Sequence, residues 1–133
     1  MVITIPHLAA VIATLVFSGL AVFQFLLSLG KPYGEYAWGG QHKILPKSLR
    51  IGSVISIGLY AFFSMIIIDA SELIKIFPDG LVSSYGIWFL IAYLSIGVFM
   101  NGISRSKKER NTMTPIIIVL LICSLVIVLN LQI

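Results

Sequence analysis

The chain has 133 residues, of which 59% are hydrophobic and 11% charged, and its mean hydropathy is +1.06. Soluble domains average roughly 45–50% apolar and about 25% charged residues, so an ordinary soluble domain is excluded. The formal charge is +4, and its distribution along the chain carries more information than its sum.

A stretch of about 20 apolar residues crosses the hydrocarbon core of a bilayer. Four blocks meet that length, at about residues 8–29, 51–68, 85–103 and 113–129. They predict an all-α, four-helix transmembrane bundle forming one integral membrane domain, with loops at 30–50, 69–84 and 104–112. Little chain remains for a soluble catalytic domain. The first block is longer than the apolar stretch of a signal peptide and lacks a basic segment before it, which favours a retained helix. Helix-start chemistry stands near each block: Thr4 before Pro6, Pro46 before the second, Ser83 and Ser84 before the third, Thr114 before Pro115.

The first loop and its flank carry Lys31, Lys43, Lys47 and Arg50, and the third carries Arg105, Lys107, Lys108 and Arg110. The second loop has Lys75 alone. With four spans the first and third loops share a side, and the positive-inside rule assigns that side to the cytoplasm and both termini to the outside of a plasma membrane. The basic pI then reflects attraction to anionic headgroups, worth about 1 kcal/mol per Lys or Arg, rather than nucleic-acid binding.

Small residues recur at four-residue spacing, which suits close helix contacts in lipid. Ala10, Thr14 and Ser18 form such a ridge in the first span, Gly52 and Ser56 in the second, and Gly97 and Asn101 in the third. The fourth span is nearly all Ile, Leu and Val, which predicts a largely lipid-facing helix. In the second loop Pro78-Asp79-Gly80 is a turn signal, and Asp69 and Asp79 read as solvated. Cys123 stands alone in an apolar run and reads as a small hydrophobe.

The first loop is the informative segment. It is far longer than a helix–helix connection requires and holds four of the 11 glycines. Tyr33, Tyr36 and Trp38 suit either an aromatic anchor at headgroup level or a structured loop that contacts a ligand or partner. Gln24, Ser28, Arg50, Ser53, Asn101 and Ser104 fall on the same side and predict a polar pocket open to the cytoplasm. The candidate binding residues are therefore Gln24, Lys31, Tyr33, Glu35, Trp38, His42, Arg50, Asn101 and Arg105. Lys31, Lys43, Arg50 and Arg105 would favour an anionic lipid headgroup or metabolite.

Other chemistry is weakly supported. His7 and His42 fall on opposite sides of the bilayer and cannot share a metal, so no metal or cofactor is expected. Glu35 and His42 make an acid–base pair on paper, without a nucleophile. No ionisable residue lies near the centre of a span, which disfavours ion-coupled transport.

Gly30-x-Pro32-Tyr33-Gly34, Trp38-Gly39-Gly40-x-His42, Leu45-Pro46-x-x-Leu49-Arg50, Ser104-Arg105-Ser106-Lys107-Lys108-Glu109-Arg110 and Thr114-Pro115 together form a pattern. It resembles a family of small four-helix integral membrane proteins of Bacillus-like bacteria. The resemblance covers nearly the whole chain and implies the four-helix fold, with no activity, catalytic residue or binding residue to carry over. The expectation is a non-enzymatic membrane module. Its cytoplasmic first-loop face would engage anionic lipid or a partner protein, with or without homo-oligomerisation. The alternative is a small oligomeric transporter or channel for a small solute or lipid, with Gln24, Ser53 and Asn101 along its pathway.

Overall fold

The computed structural model describes residues 2–130. Four helices account for most of them: α1 (Ile5–Ser28), α2 (Lys47–Ala70), α3 (Leu81–Gly102) and α4 (Lys107–Val128). Each is long and apolar enough to cross a membrane. At about 1.5 Å per residue, 22 residues reach roughly 33 Å, against a hydrocarbon thickness of about 30 Å.

The helices start three to six residues before the apolar windows, because hydropathy registers lipid compatibility and not where backbone hydrogen bonding begins. Thr4 caps α1 through a reciprocal box in which its hydroxyl accepts from the His7 N–H and His7 Nδ1 accepts from the Thr4 N–H. Pro46 precedes α2, as expected. The other two starts differ from expectation. Helix α3 begins after Gly80, with Asp79 Oδ1 accepting from the Leu81 N–H at 2.9 Å, so Ser83 and Ser84 lie inside the helix. Helix α4 begins after Ser106, whose hydroxyl accepts from the Glu109 N–H. Pro115 is consequently an interior residue of α4. Proline lacks an N–H, so the helix runs past it with one hydrogen bond fewer. The third loop shrinks to 103–106, and Lys107, Lys108 and Arg110 belong to the first turns of α4.

Helix α1 packs most closely on α2, α3 on α4, and α1 on α4, while α2 and α3 meet more sparsely. Ala10, Ala13, Phe17, Leu20, Gln24 and Leu27 recur every three or four residues along the inner face of α1. Ala9, Ala10 and Ala13 are buried and let neighbouring backbones approach. The expected ridge through Ser18 is displaced by one face, since Ser18 is exposed and bonds back to the Thr14 carbonyl. Phe17 contacts Tyr60 and Phe63, and Phe63 contacts Tyr93 with ring centroids 5.0 Å apart. Gly97 admits Ile117 of α4, whereas Gly52 receives the Trp38 ring of the first loop and Ser56 donates back to the Gly52 carbonyl of its own helix.

Helix α4 leaves most of its apolar surface outward, as expected, but so do α2 and α3. It buries 22% of its most apolar window, the same share as α2 and α3, through Leu120, Cys123, Ser124 and Ile127. Large apolar side chains such as Leu15, Ile55, Phe89 and Ile122 are exposed on all four helices, as expected where the outer solvent is hydrocarbon rather than water.

Asp69, expected to be solvated, is buried at the far end of α2. Its Oδ1 accepts from the N–H groups of Ile76 (2.7 Å) and Phe77 (3.1 Å). The carboxylate thus folds the α2–α3 connection back onto the helix that carries it, and Phe77 packs edge-on against Phe62.

Candidate functional site

The first loop is a folded cap, built from two single 3₁₀ turns at Gly34–Tyr36 and Trp38–Gly40. Three close approaches hold its shape. Gly30 closes α1 with a positive φ of 86° and lies over the Arg50 guanidinium, where a Cβ would stand 2.9 Å from Nη2. Gly34 donates to the Lys43 carbonyl, and a Cβ there would meet the His42 carbonyl at 2.1 Å. Gly40 has a φ of 73° and abuts Ser106, whose Cβ would be 2.3 Å from an added Cβ. Arg50 fixes the other flank by donating from Nε to the Leu45 carbonyl at 2.7 Å.

The cap docks on the start of α4. The Ser106 hydroxyl donates to the Glu35 carbonyl, and Lys108 Nζ donates to Glu35 Oε2 at 2.5 Å while lying over the Tyr36 ring. Lys108, through this hydrogen bond and its charge, holds the Glu35 carboxyl below the usual carboxylate range. Both side chains are well exposed, so solvent and salt screen the pair, and its role is register rather than strength. On the opposite side, Trp38 adopts a positive φ of 52° and lays its ring over Gly52 of α2. Its indole N–H donates to the Ser53 hydroxyl at 3.4 Å. Gly52 is therefore a slot for an aromatic ring.

These contacts place the first and third loops at one end of the bundle. That end carries eight Lys and Arg against two Glu, a formal charge of +6, and the opposite end has Lys75 against Asp69, Glu72 and Asp79. Between cap and α4 lies an open groove of about 990 Å³, bordered by Glu35, Trp38, Gly40, Arg105, Lys107 and Lys108. A second cavity, a cleft of about 340 Å³, enters the same half of the bundle. Helices α2 and α3 touch at the far end, where Ile66 covers Gly86 and Phe63 meets Tyr93, and on the cap side of that contact Ser56 and Tyr60 of α2 and Gly97 and Asn101 of α3 line the cleft. Phe17, Gln24, Tyr93 and Met113 also line it, with Tyr36 and Trp38 of the cap. Trp38, Asn101 and Glu109 border both cavities.

The candidate residues thus separate into groups. Gln24 and Asn101 share the cleft, although Asn101 turns its amide onto the Gly97 carbonyl of its own helix at 2.8 Å. Glu35, Trp38, Asn101 and Arg105 share the groove. Lys31, Tyr33 and His42 are exposed and line neither cavity. Arg50 is held by the cap, and Ser53 is fully buried beneath Trp38. Glu35 pairs with Lys108, not with His42. A pathway through one protomer would have to pass Phe63, Ile66, Ile67, Leu90 and Leu120, which close the far half of the bundle.

Sequence reasoning missed Glu109. It lies two residues into α4 from Lys107, is only 7% exposed, and borders both cavities. Its Oε2 accepts a long 3.4 Å hydrogen bond from the Gly39 N–H. The available signal was Ser106-x-x-Glu109, a helix-start spacing. Its burial follows from the cap, about seventy residues earlier, folding over it.

No protein-family model, curated protein or solved structure matches this chain. What fold and site define is a class: an all-helical, multi-pass membrane protein with a capped, strongly basic end over a cleft.

Proposed function

We propose that this protein is a non-enzymatic module of the plasma membrane that binds the anionic headgroup of a membrane lipid in the groove between cap and α4. The carrying observation is that Arg105, Lys107 and Lys108, from the α3–α4 connection and the start of α4, border a groove that the cap closes from the other side. Neither Arg105 nor Lys107 is engaged by a carboxylate among the described residues, in contrast to Lys108. Positive charge at one end of four membrane-length helices favours that end facing the cytoplasm, with both termini outside. Trp38, partly exposed beside the groove, sits where an aromatic ring suits the headgroup level.

The test is lipid retention. Purified protein is equilibrated with mixed phosphatidylglycerol and phosphatidylcholine, and bound lipid is counted by native mass spectrometry. At about 1 kcal/mol per cation, Arg105→Ala with Lys107→Ala lowers the preference for phosphatidylglycerol by about thirtyfold. An unchanged preference overturns the proposal. Arg50→Ala is a poor substitute, because Arg50 supports the cap.

A further inference from the structure

We infer that the cleft between α2 and α3 is a binding site for an amphiphile bearing an organic ammonium group, with Glu109 as its counter-ion. The inference concerns the cleft and holds whichever headgroup occupies the groove.

The chemistry of the walls points to a cation. Glu109 is a carboxylate buried at the cleft mouth, and Lys108–Glu35 is the one salt bridge among the described residues, so Glu109 has no cationic partner. The hydrogen bond it accepts from the Gly39 N–H is long, at 3.4 Å. Buried charges are ordinarily paired or fully hydrogen-bonded, so an unpaired carboxylate opening on an empty volume defines a place for a positive group. Gln24 supplies an independent observation. It is 8% exposed, lines the cleft, and reaches the Tyr60 hydroxyl, yet its Oε1 has no hydrogen-bond partner. Thr14 and Thr114 also carry unpartnered Oγ1 atoms, but neither lines the cleft. A ligand able to donate hydrogen bonds satisfies Gln24 and Glu109 together.

The rest of the wall mixes aliphatic side chains such as Leu20, Met113 and Ile117 with aromatic ones. Tyr36 and Trp38 stand at the cap, Tyr60 and Tyr93 deeper between the helices. Faces of Tyr and Trp attract ammonium groups, more so away from water. The volume of about 340 Å³ lies at the lower end of the roughly 300–1,000 Å³ typical of small-molecule pockets. Among the described residues no Lys or Arg lines the cleft, so an anionic amphiphile there would meet Glu109 with like charge, whereas in the groove Arg105, Lys107 and Lys108 outnumber Glu35 and Glu109. The ammonium has two natural sources, a free lipophilic amine or the headgroup of an ethanolamine phospholipid.

Trp38 provides the readout once Trp88→Phe removes the other indole. In a neutral maltoside detergent, dodecylamine and the uncharged dodecanol are titrated against this protein, followed by Trp38 emission. Dodecylamine binds about tenfold or more tightly than dodecanol, an advantage lost in Glu109→Gln and kept in Glu109→Asp. Equal binding of amine and alcohol to the protein with Glu109 intact overturns the inference. So does an amine advantage that survives Glu109→Gln. The amine-against-alcohol comparison on Trp88→Phe with Glu109 intact decides the matter even if Glu109→Gln fails to fold. Native mass spectrometry in phosphatidylethanolamine then separates the sources. Lipid retained by wild type and lost in Glu109→Gln identifies the headgroup, and equal retention with the amine advantage lost identifies a free amine.

Discussion

Adjacent glycines in the cap allow its docking on α4 to be tested against backbone strain alone. Gly39 and Gly40 have nearly the same positive φ, 77° and 73°, but a Cβ on Gly39 meets nothing within 4 Å. A Cβ on Gly40 would lie 2.3 Å from Ser106 Cβ and 2.6 Å from its Oγ. Gly39→Ala therefore costs only the left-handed backbone term, about 1 kcal/mol. Gly40→Ala adds displacement of Ser106, which caps α4 and donates to the Glu35 carbonyl. Loss of the cap is worth about 1 kcal/mol and loss of the hydrogen bond about another, for a total near 3 kcal/mol. Amide hydrogen exchange in detergent reads the opening of residues 35–41 directly. Exchange there accelerates about fivefold in Gly39→Ala and about a hundredfold in Gly40→Ala. Equal acceleration would refute the docked cap.

Three further outcomes follow from the same contacts. Trp38→Ala removes the ring over Gly52 and strands the buried Ser53 hydroxyl, destabilising the cap by about 2–3 kcal/mol. Trp38→Phe, which keeps a ring, should cost visibly less in the same exchange measurement. Asp69→Ala leaves the Ile76 and Phe77 N–H groups unpaired, at about 2 kcal/mol or more. Thermal unfolding in detergent should place Asp69→Asn between that variant and wild type. The Glu35 carboxyl is held below its ordinary value of 4.5 by Lys108, so this contact supports the cap above that range and is lost as pH falls through the lowered folded value. With Trp88→Phe as background, Trp38 emission shifts only in acid below pH 4.5, and the shift disappears in Glu35→Gln; its persistence there would exclude Glu35 as the group responsible.

The four helices were legible because uninterrupted apolar windows of membrane length leave the chain few alternatives. The shared end of the first and third loops was legible from the same four-span topology, and Lys108 bridging to Glu35 realises it. The start of α4 was not, because Lys107 to Asn111 are polar and resemble a loop by hydropathy, while Pro115 mimics a first-turn proline. Gly52 was read as a helix contact because a small residue on a helix does not reveal whether a neighbouring helix or a loop side chain fills the gap. Trp38 fills it from fourteen residues upstream. Glu109 escaped for a related reason: its local sequence gives a helix start, and only the returning cap buries it. Gln24 and Asn101 were recognised as polar groups at membrane depth. Their common cleft depends on how all four helices and the cap pack around it, which no local stretch of sequence encodes.

Lysine acetylation in lipid nanodiscs distinguishes a headgroup seated in the groove from a diffuse attraction to the basic end. Rates at each lysine are compared between phosphatidylcholine and phosphatidylglycerol. A seated headgroup slows Lys107 and Lys108 on the groove more than Lys31, Lys43 and Lys47 outside it. Equal slowing of all five lysines would contradict the account, leaving only the general pull of an anionic surface on a basic one.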